Sequence, residues 1–168
     1  MSKGNARTFR RRLSAFQAMR GDPPDPGFAQ DLLWLQNRDL DLSVRVGALL
    51  AFNALLVTIG THPVSASPGA PLSLDAATMP WLTAASLAGI APIAASSWLA
   101  LRALMVGEEI QQADEEDTRE LLRQRLFAAF AHSLDLQSQL LRRGVRWTLA
   151  GGAATAGVWR AILWAKVG

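Results

Sequence analysis

The chain has 168 residues, of which half are hydrophobic and only 18% are charged, a low charged share for a soluble protein. It contains no cysteine, no tyrosine and two histidines, so disulfides and thiolate metal sites are excluded and most acid–base catalysis lacks its usual residues. We therefore expect no enzyme, no cofactor and no site for a nucleic-acid polymer. The net charge of +3 is small, and its distribution along the chain is more informative than its sum.

Residues 1–27 form a basic N-terminal segment. Phe9, Leu13 and Phe16 share one helical face there and are surrounded by six basic residues, a pattern suited to anionic lipid headgroups. A disordered basic tail explains the same composition equally well. No apolar core follows the arginines before the proline-rich turn, so the segment is not expected to be an export signal.

Residues 28–61 predict one helix that begins amphipathic and continues into a first transmembrane helix. Apolar residues recur along it at heptad-like spacing, and residues 44–60 are almost entirely apolar, with Arg45 at the edge of the span. Asn53 lies in the middle of that span. Because a lone amide is costly against lipid, we expect Asn53 to hydrogen-bond a neighbouring helix rather than to bind a substrate.

The second predicted span, residues 80–106, contains the longest uncharged stretch of the chain. Residues 81–101 carry no charge and would rise about 31 Å as a helix, which matches the thickness of the hydrocarbon core. Pro80 is placed to start this helix, and Pro92 is a position at which it can kink. Residues 62–79, rich in Pro, Ser and Ala, predict a loop between the two spans.

Residues 107–143 predict a cytoplasmic helical insert. Its first part, EEIQQADEEDTRE, is too acidic to enter a bilayer, and Asp117 and Thr118 are placed to cap a following helix. That helix has an apolar stripe that needs a partner, for which the amphipathic half of the first helix, residues 28–42, is the expected choice.

Residues 144–168 predict a third transmembrane helix, or alternatively a helix that lies flat on the membrane surface. Arg160 would reach the far interface beside tryptophans. Small residues four apart would allow another helix to approach closely: Gly152 with Ala156, and Ala153 with Gly157.

The distribution of basic residues predicts the orientation in the membrane. Residues 1–43 hold seven of them and residues 106–143 hold five, whereas residues 62–79 hold none. Positive charge stays on the cytoplasmic side. We therefore expect an all-α membrane bundle of three transmembrane helices, two of them extending into a cytoplasmic helical bundle, with the N-terminus and the insert cytoplasmic and the loop and C-terminus external.

Two clusters of polar residues could suggest a metal site, but neither has a full ligand set. His132 and Asp135 lie three apart on a predicted helix and supply only two ligands. The acidic run at 114–117 lacks the glycine and the terminal glutamate of a calcium loop. We expect no metal site.

The layout of two spans, a cytoplasmic helical insert and a final span resembles the transmembrane effectors of Pycsar, a bacterial cyclic-nucleotide antiphage system. Residues 39–53, DLDLSVRVGALLAFN, are comparable to the helix that enters the family's first span, although Arg45 stands where a lysine is expected and the Asp-Lys-Ala triplet is missing. Residues 140–147, LLRRGVRW, look like the basic entry to its last span. The resemblance covers residues 28–166 and lies in architecture more than in motif.

The resemblance implies a protein of the bacterial inner membrane whose cytoplasmic helices bind a cyclic nucleotide. The chains would then assemble as a homo-oligomer and disrupt the membrane. Phosphate recognition needs convergent cationic donors, and the candidates are Arg38, Arg142 and Arg143, which lie at the membrane ends of the two cytoplasmic helices. Contact with anionic lipid explains the same arginines without any nucleotide.

Two functions therefore compete at the level of sequence. One is the nucleotide-activated effector of antiphage defence. The other is a non-catalytic membrane scaffold or accessory subunit that presents a cytoplasmic helical module beside the bilayer.

Overall fold

The computed structural model describes residues 19–21, 25–106 and 118–167, and within these ranges the chain is helical without strands. The helices are α1 (Pro26–Ser65), α2 (Pro80–Ala88), α3 (Ala91–Leu104) and α4 (Arg119–Val167). The predicted all-α fold is confirmed. Most of the basic N-terminal segment and the acidic run at 107–117, with Asp117 of the predicted cap, lie outside the described residues.

Helix α1 begins two residues before the predicted start, because Asp25 caps it. The Asp25 carboxylate accepts hydrogen bonds from the backbone N–H groups of Gly27 at 2.9 Å and Phe28 at 3.4 Å. Pro26 occupies the first helical position, where its missing N–H leaves no intrahelical bond unmade.

Helix α1 also runs past residue 61 to Ser65, so the loop starts four residues later than the predicted boundary at 62. The chain then returns onto the helix end, where the Leu74 N–H donates to the Pro63 carbonyl at 2.7 Å. Gly69 has φ +89°, a left-handed conformation that glycine adopts without strain.

The second predicted span is divided into α2 and α3. Gly89 and Ile90 separate them, and both keep right-handed dihedral angles, so the interruption is short. It lies just before Pro92 because a proline has no N–H for the carbonyl four residues earlier, that of Ala88, and its ring crowds that carbonyl.

Helix α4 joins two segments that were predicted as separate, the insert at 107–143 and the last span at 144–168. Thr118 caps its start, since the Thr118 hydroxyl accepts the Leu121 N–H at 3.4 Å. The helix then continues without interruption to Val167.

The chain divides into two compact units. Unit 1 comprises Met1–Leu42 and Val106–Leu136, and unit 2 comprises Ser43–Met105 and Gln137–Gly168. Within unit 1, the start of α1 packs on the start of α4 through a core of Met19, Phe28 and Leu126. The rings of Phe28 and Phe127 meet edge to face with centroids 5.7 Å apart. The amphipathic half of α1 thus packs against the helix that the sequence paired with it.

Within the part of the chain that the structure describes, two helical segments are long and apolar enough to cross a membrane: Pro26–Ser65 and the combined Pro80–Leu104. The C-terminal half of α4 does not meet the same criterion, because Arg160 and a run of glycine, threonine and tryptophan lower its mean hydropathy. Hydropathy alone therefore supports two of the three predicted spans.

Candidate functional site

The buried centre of unit 2 is a hydrogen-bonded cluster around Asn53. The Asn53 side chain is 1% exposed, and its amide nitrogen donates to the hydroxyls of Ser96 at 2.9 Å and Ser97 at 3.1 Å. Its amide oxygen accepts a hydrogen bond from the Thr148 hydroxyl at 2.7 Å. Asn53 thus contacts both neighbouring helices, which is the interhelical role expected of a mid-span amide.

The cluster closes on itself. The hydroxyls of Ser96 and Thr148 lie 2.7 Å apart, and Ser97 donates to the Ile93 carbonyl at 3.0 Å. Both amide protons and the oxygen of Asn53 therefore have partners. Helices α1, α3 and α4 each contribute a side chain to this cluster. Burying any one of these polar groups without a partner would be costly, so their mutual hydrogen bonds fix how the three helices are aligned.

Glycines allow the three helices to approach closely above and below this cluster. A Cβ on Gly144 would lie 3.2 Å from Leu49 and one on Gly60 would lie 3.3 Å from Ile90. A Cβ on Gly151 would collide with the side chain of Ile93 and lie 3.2 Å from its backbone nitrogen. The buried face of α4 is thus built from small and polar residues at heptad spacing: Gly144, Thr148, Gly151 and Thr155.

The small residues that the sequence singled out on α4 lie at the edge of this face or away from it. Gly152 is half-buried, with Leu56 3.9 Å from the position of its Cβ. Ala153, Ala156 and Gly157 are exposed. Contact of these three with a helix from another copy of the chain remains a prediction.

Helices α1 and α4 run parallel in unit 2, and α2 and α3 run antiparallel to both. Leu49 meets Gly144, Asn53 meets Thr148, and the ring of His62 lies beside that of Trp159. Towards the loop, the Lys166 ammonium donates to the Ala70 carbonyl at 2.9 Å and the Ser73 hydroxyl at 3.3 Å. The last part of α4 therefore follows α1 along its full apolar segment.

Unit 2 has a mixed polar and apolar interior and an exterior that carries many large apolar side chains. Its buried polar side chains are those of Asn53, Ser73, Ser86, Ser96, Thr148 and Thr155, and they lie among buried Val46, Leu49, Leu82, Ile93, Leu140 and Ile162. Its exposed large side chains include Phe52, Leu55, Leu87, Leu101, Leu149 and Leu163. A water-soluble bundle exposes fewer such side chains, since its driving force is the burial of apolar surface.

Charged and aromatic side chains mark the two ends of unit 2. Exposed arginines are concentrated at one end on three helices, at Arg45, Arg102, Arg142, Arg143 and Arg146, whereas exposed Arg160 lies towards the other end. At the other end, exposed Trp81 lies at the start of α2 and exposed Trp164 lies near the end of α4. From Arg143 to Trp164, α4 rises about 32 Å, close to the thickness of a hydrocarbon core.

Unit 1 contains an arginine that holds three groups at once. The Arg123 guanidinium donates to the Asp25 carboxylate at 2.6 Å and to the Met19 carbonyl at 3.0 Å, and it stacks 4.8 Å from the centre of the Phe28 ring. The clamp is not predictable from the sequence pattern, although Asp25 followed by Pro26 is a recognisable helix start. Nothing in the spacing indicates that Arg123 is its partner, nearly a hundred residues away.

The hydrogen bond from Arg123 lowers the pKa of Asp25, and the bond from the Phe28 N–H lowers this pKa further. Asp25 therefore stays ionised at neutral pH, where it serves both as the cap of α1 and as the anion of the clamp. The guanidinium of Arg123 is largely covered, whereas the Asp25 side chain is partly exposed.

The three arginines predicted to bind an anion are all exposed. Arg38 forms an ion pair with Asp41 at 3.3 Å, one turn away on the same helix. Arg38 belongs to unit 1 and Arg142 and Arg143 to unit 2, so their convergence on one ligand remains a prediction.

Among the described residues, no three histidine or acidic side chains converge as metal ligands would. Comparison with protein-family models, curated proteins and solved structures found no match for the chain. The geometry alone therefore defines the class of protein.

Proposed function

We propose that this chain is an integral membrane protein in which α1, the α2–α3 segment and the C-terminal half of α4 cross the bilayer together. The observation that carries the proposal is the apolar exterior of unit 2, where large side chains such as Phe52, Leu55 and Leu149 are exposed around a core that includes the Asn53 cluster. Lipid is the solvent in which such a surface is stable, because lipid tails solvate leucine and phenylalanine as well as a protein core does.

The packing of the C-terminal half of α4 supports a third span, although the hydropathy of this segment does not identify it as one. The close register of α4 with α1 extends from Gly144 to Trp159. A helix that lay flat on the membrane could not follow α1 in this way while α1 crosses the bilayer. The modest hydropathy of the segment has a structural reason, since its glycines and threonines face the other helices and not lipid.

The topology can be tested with reporters. We expect a reporter fused after Gly168 to be external, one inserted near Asp114 to be cytoplasmic, and a control inserted at Gly69 to be external. The reason is that the arginine-rich end of unit 2 is expected to stay on the cytoplasmic side of the membrane. If the reporters at Gly168 and Asp114 report the same side, α4 does not span.

Within this class, the function that the geometry supports best is a non-catalytic scaffold or accessory subunit. The clamp of Arg123 on Asp25 and Met19 gives unit 1 its own fixed packing, and α1 and α4 continue from unit 1 into the membrane segments. Such an arrangement presents a small helical module from a membrane anchor, and it requires no ligand.

The nucleotide-activated effector is the second candidate, and the exposure of Arg142 and Arg143 favours it. These two guanidinium groups are accessible to a phosphate, and arginine binds phosphate with paired donors. The inner membrane of a bacterium, assembly of several copies and membrane disruption on nucleotide binding all belong to this proposal.

We expect replacement of Arg38 and Arg142 by glutamine to weaken binding of a labelled cyclic nucleotide at least about tenfold, because each lost guanidinium removes a charged donor. Insertion and orientation should not change. Arg119→Gln, an exposed arginine at the start of α4, is the matched control. Unchanged binding in the double variant would remove this site, and an inverted topology would show that the arginines only anchor the chain.

A further inference from the structure

Helix α1 carries a second apolar stripe, on the side opposite the one that it buries within the chain. The buried stripe recurs every seven residues, at Phe28, Leu35, Leu42 and Leu49. The opposite stripe follows alternating steps of four and three: Leu33, Asn37, Leu40, Val44, Gly47, Ala51, Ala54 and Thr58. All eight of its residues are exposed.

This stripe, which we call the α1 seam, has the spacing of a two-stranded coiled coil. Leu33 and Leu40 occupy d positions, and Asn37 and Val44 occupy a positions. A single asparagine at an a position specifies the register of a parallel pair, because two such amides hydrogen-bond only when the helices are aligned. The buried residues Leu35 and Leu42 occupy f positions, which point directly away from the seam.

Lipid accounts for only part of the seam. Leu33 and Leu40 are 58% and 63% exposed, and they belong to unit 1, in the amphipathic half of α1 that precedes the apolar segment. Trp34, beside Leu33, is 67% exposed. Large apolar side chains placed in water in a row mark an interface.

The character of the seam changes where the apolar segment begins. From Gly47 onwards its residues are small, and a Cβ on Gly47 would meet nothing within 4 Å. The exposed positions that flank the seam in this part are large, at Phe52 and Leu55. A helix that only faces lipid needs no such groove, whereas a second helix packs closely into one.

We propose that the α1 seam binds the α1 seam of a second copy of this chain, in a parallel and symmetric pair. A heptad seam with asparagine at an a position is complementary to itself, and insertion into one membrane gives both copies the same direction. Only this shared direction depends on the proposed membrane insertion. The seam is about 39 Å long and roughly 10 Å wide, so two seams cover about 800 Å², which is the size of a small interface.

Cysteine cross-linking tests the seam directly, because the natural chain has no cysteine. We expect Leu33→Cys and Leu40→Cys to form disulfide-linked dimers in native membranes on mild oxidation. Asp31→Cys, an exposed b position in the same unit, should cross-link at least about fivefold less. Within the apolar segment, Ala54→Cys should likewise exceed Phe52→Cys. Cross-linking that is equal at the seam and control positions, or absent from the seam, would overturn the proposal.

A second variant checks the energetics. Leu33→Glu with Leu40→Glu should convert the purified protein from dimer to monomer, halving its mass in detergent, with the helical content retained because both side chains are exposed. A dimer that persists in this variant would mean that the second copy binds another surface. Cross-links that form at Ala153→Cys and not at the seam would mean the same. Alkaline extraction of the same membranes separates the two proposals: a chain that stays inserted without seam cross-links refutes only the seam, and a chain that is extracted refutes membrane insertion.

Discussion

Replacement of Gly151 by alanine is expected to destabilise the bundle of unit 2 by about 1–3 kcal/mol. The added Cβ would collide with the side chain of Ile93 and lie 3.2 Å from its backbone nitrogen. Ile93 is 0% exposed, so its side chain is enclosed by protein and cannot turn out into solvent. Helices α3 and α4 would have to separate at the turn adjacent to the Asn53 cluster. The measurement is the thermal or denaturant midpoint of the purified protein in detergent, which should fall by several degrees for the thermal transition.

Gly157→Ala is the matched control for this experiment. It makes the same chemical change on the same helix, but a Cβ on Gly157 would meet nothing within 4 Å. Alanine has the higher helix propensity, so this variant should be unchanged or more stable by up to about 1 kcal/mol. Equal losses from the two substitutions would mean that the close approach of α4 to α3 at Gly151 does not form.

Replacement of Arg123 by alanine is expected to release the residues around Met19 and Asp25 from α4. The substitution removes the ion pair with Asp25, the hydrogen bond to the Met19 carbonyl and the contact with the Phe28 ring. Hydrogen exchange of the backbone amides of residues 19–21 and 25–30 should increase at least about tenfold, whereas amides around Asn53 should keep their protection. Arg119→Ala, which removes an exposed arginine from the start of the same helix, is the control and should leave both regions unchanged.

Acid should reproduce the effect of Arg123→Ala without any substitution. Folding lowers the pKa of Asp25, so the folded state favours the ionised carboxylate. The corresponding stability is complete above the unfolded pKa, near 3.9, and is lost as the pH falls below about 4 through the folded pKa. Protection of the amides of residues 19–21 and 25–30 should therefore fall in that pH range in the natural protein. Arg123→Ala should show a smaller pH dependence, because only the hydrogen bonds from the Gly27 and Phe28 N–H groups then lower the pKa of Asp25. An equal acid response in both proteins would show that Asp25 is not the anion of the clamp.

The two substitutions act on different parts of the molecule, and this separation matters for function. Gly151 belongs to the segment that we propose to lie in lipid, whereas Arg123 belongs to the unit that it would carry. An accessory or scaffold function predicts that loss of the clamp abolishes recognition of a partner and leaves insertion intact. The effector function predicts that ligand binding in the cytoplasmic helices changes how the membrane segments assemble.

Local sequence patterns were sufficient to predict the helical class, the apolar segments and the starts of α2 and α4. The uncharged stretch at 81–101, Pro80 at a first helical turn and Thr118 at a cap all depend on neighbours within a few residues, and the structure places helix starts at both sites. The mid-span position of Asn53 predicted an interhelical hydrogen bond for a similarly local reason, since an amide in an apolar segment needs a partner. None of this requires knowledge of which helices are adjacent.

Which partners those local features find depends on contacts between residues that are distant in the sequence. Helix α4 contains small residues four apart in several neighbouring registers, and the sequence favoured Gly152 with Ala156 and Ala153 with Gly157, whereas the helices meet at Gly144, Thr148, Gly151 and Thr155. These registers differ by a rotation of about 100° per residue, and the rotation is set by the contacts of Thr148 with Asn53 and of Gly151 with Ile93, residues far away in the chain. The Arg123 clamp is hidden for the same reason. An arginine has many acidic residues available in the sequence, and only the packing of Phe28 on Leu126 brings Asp25 to it.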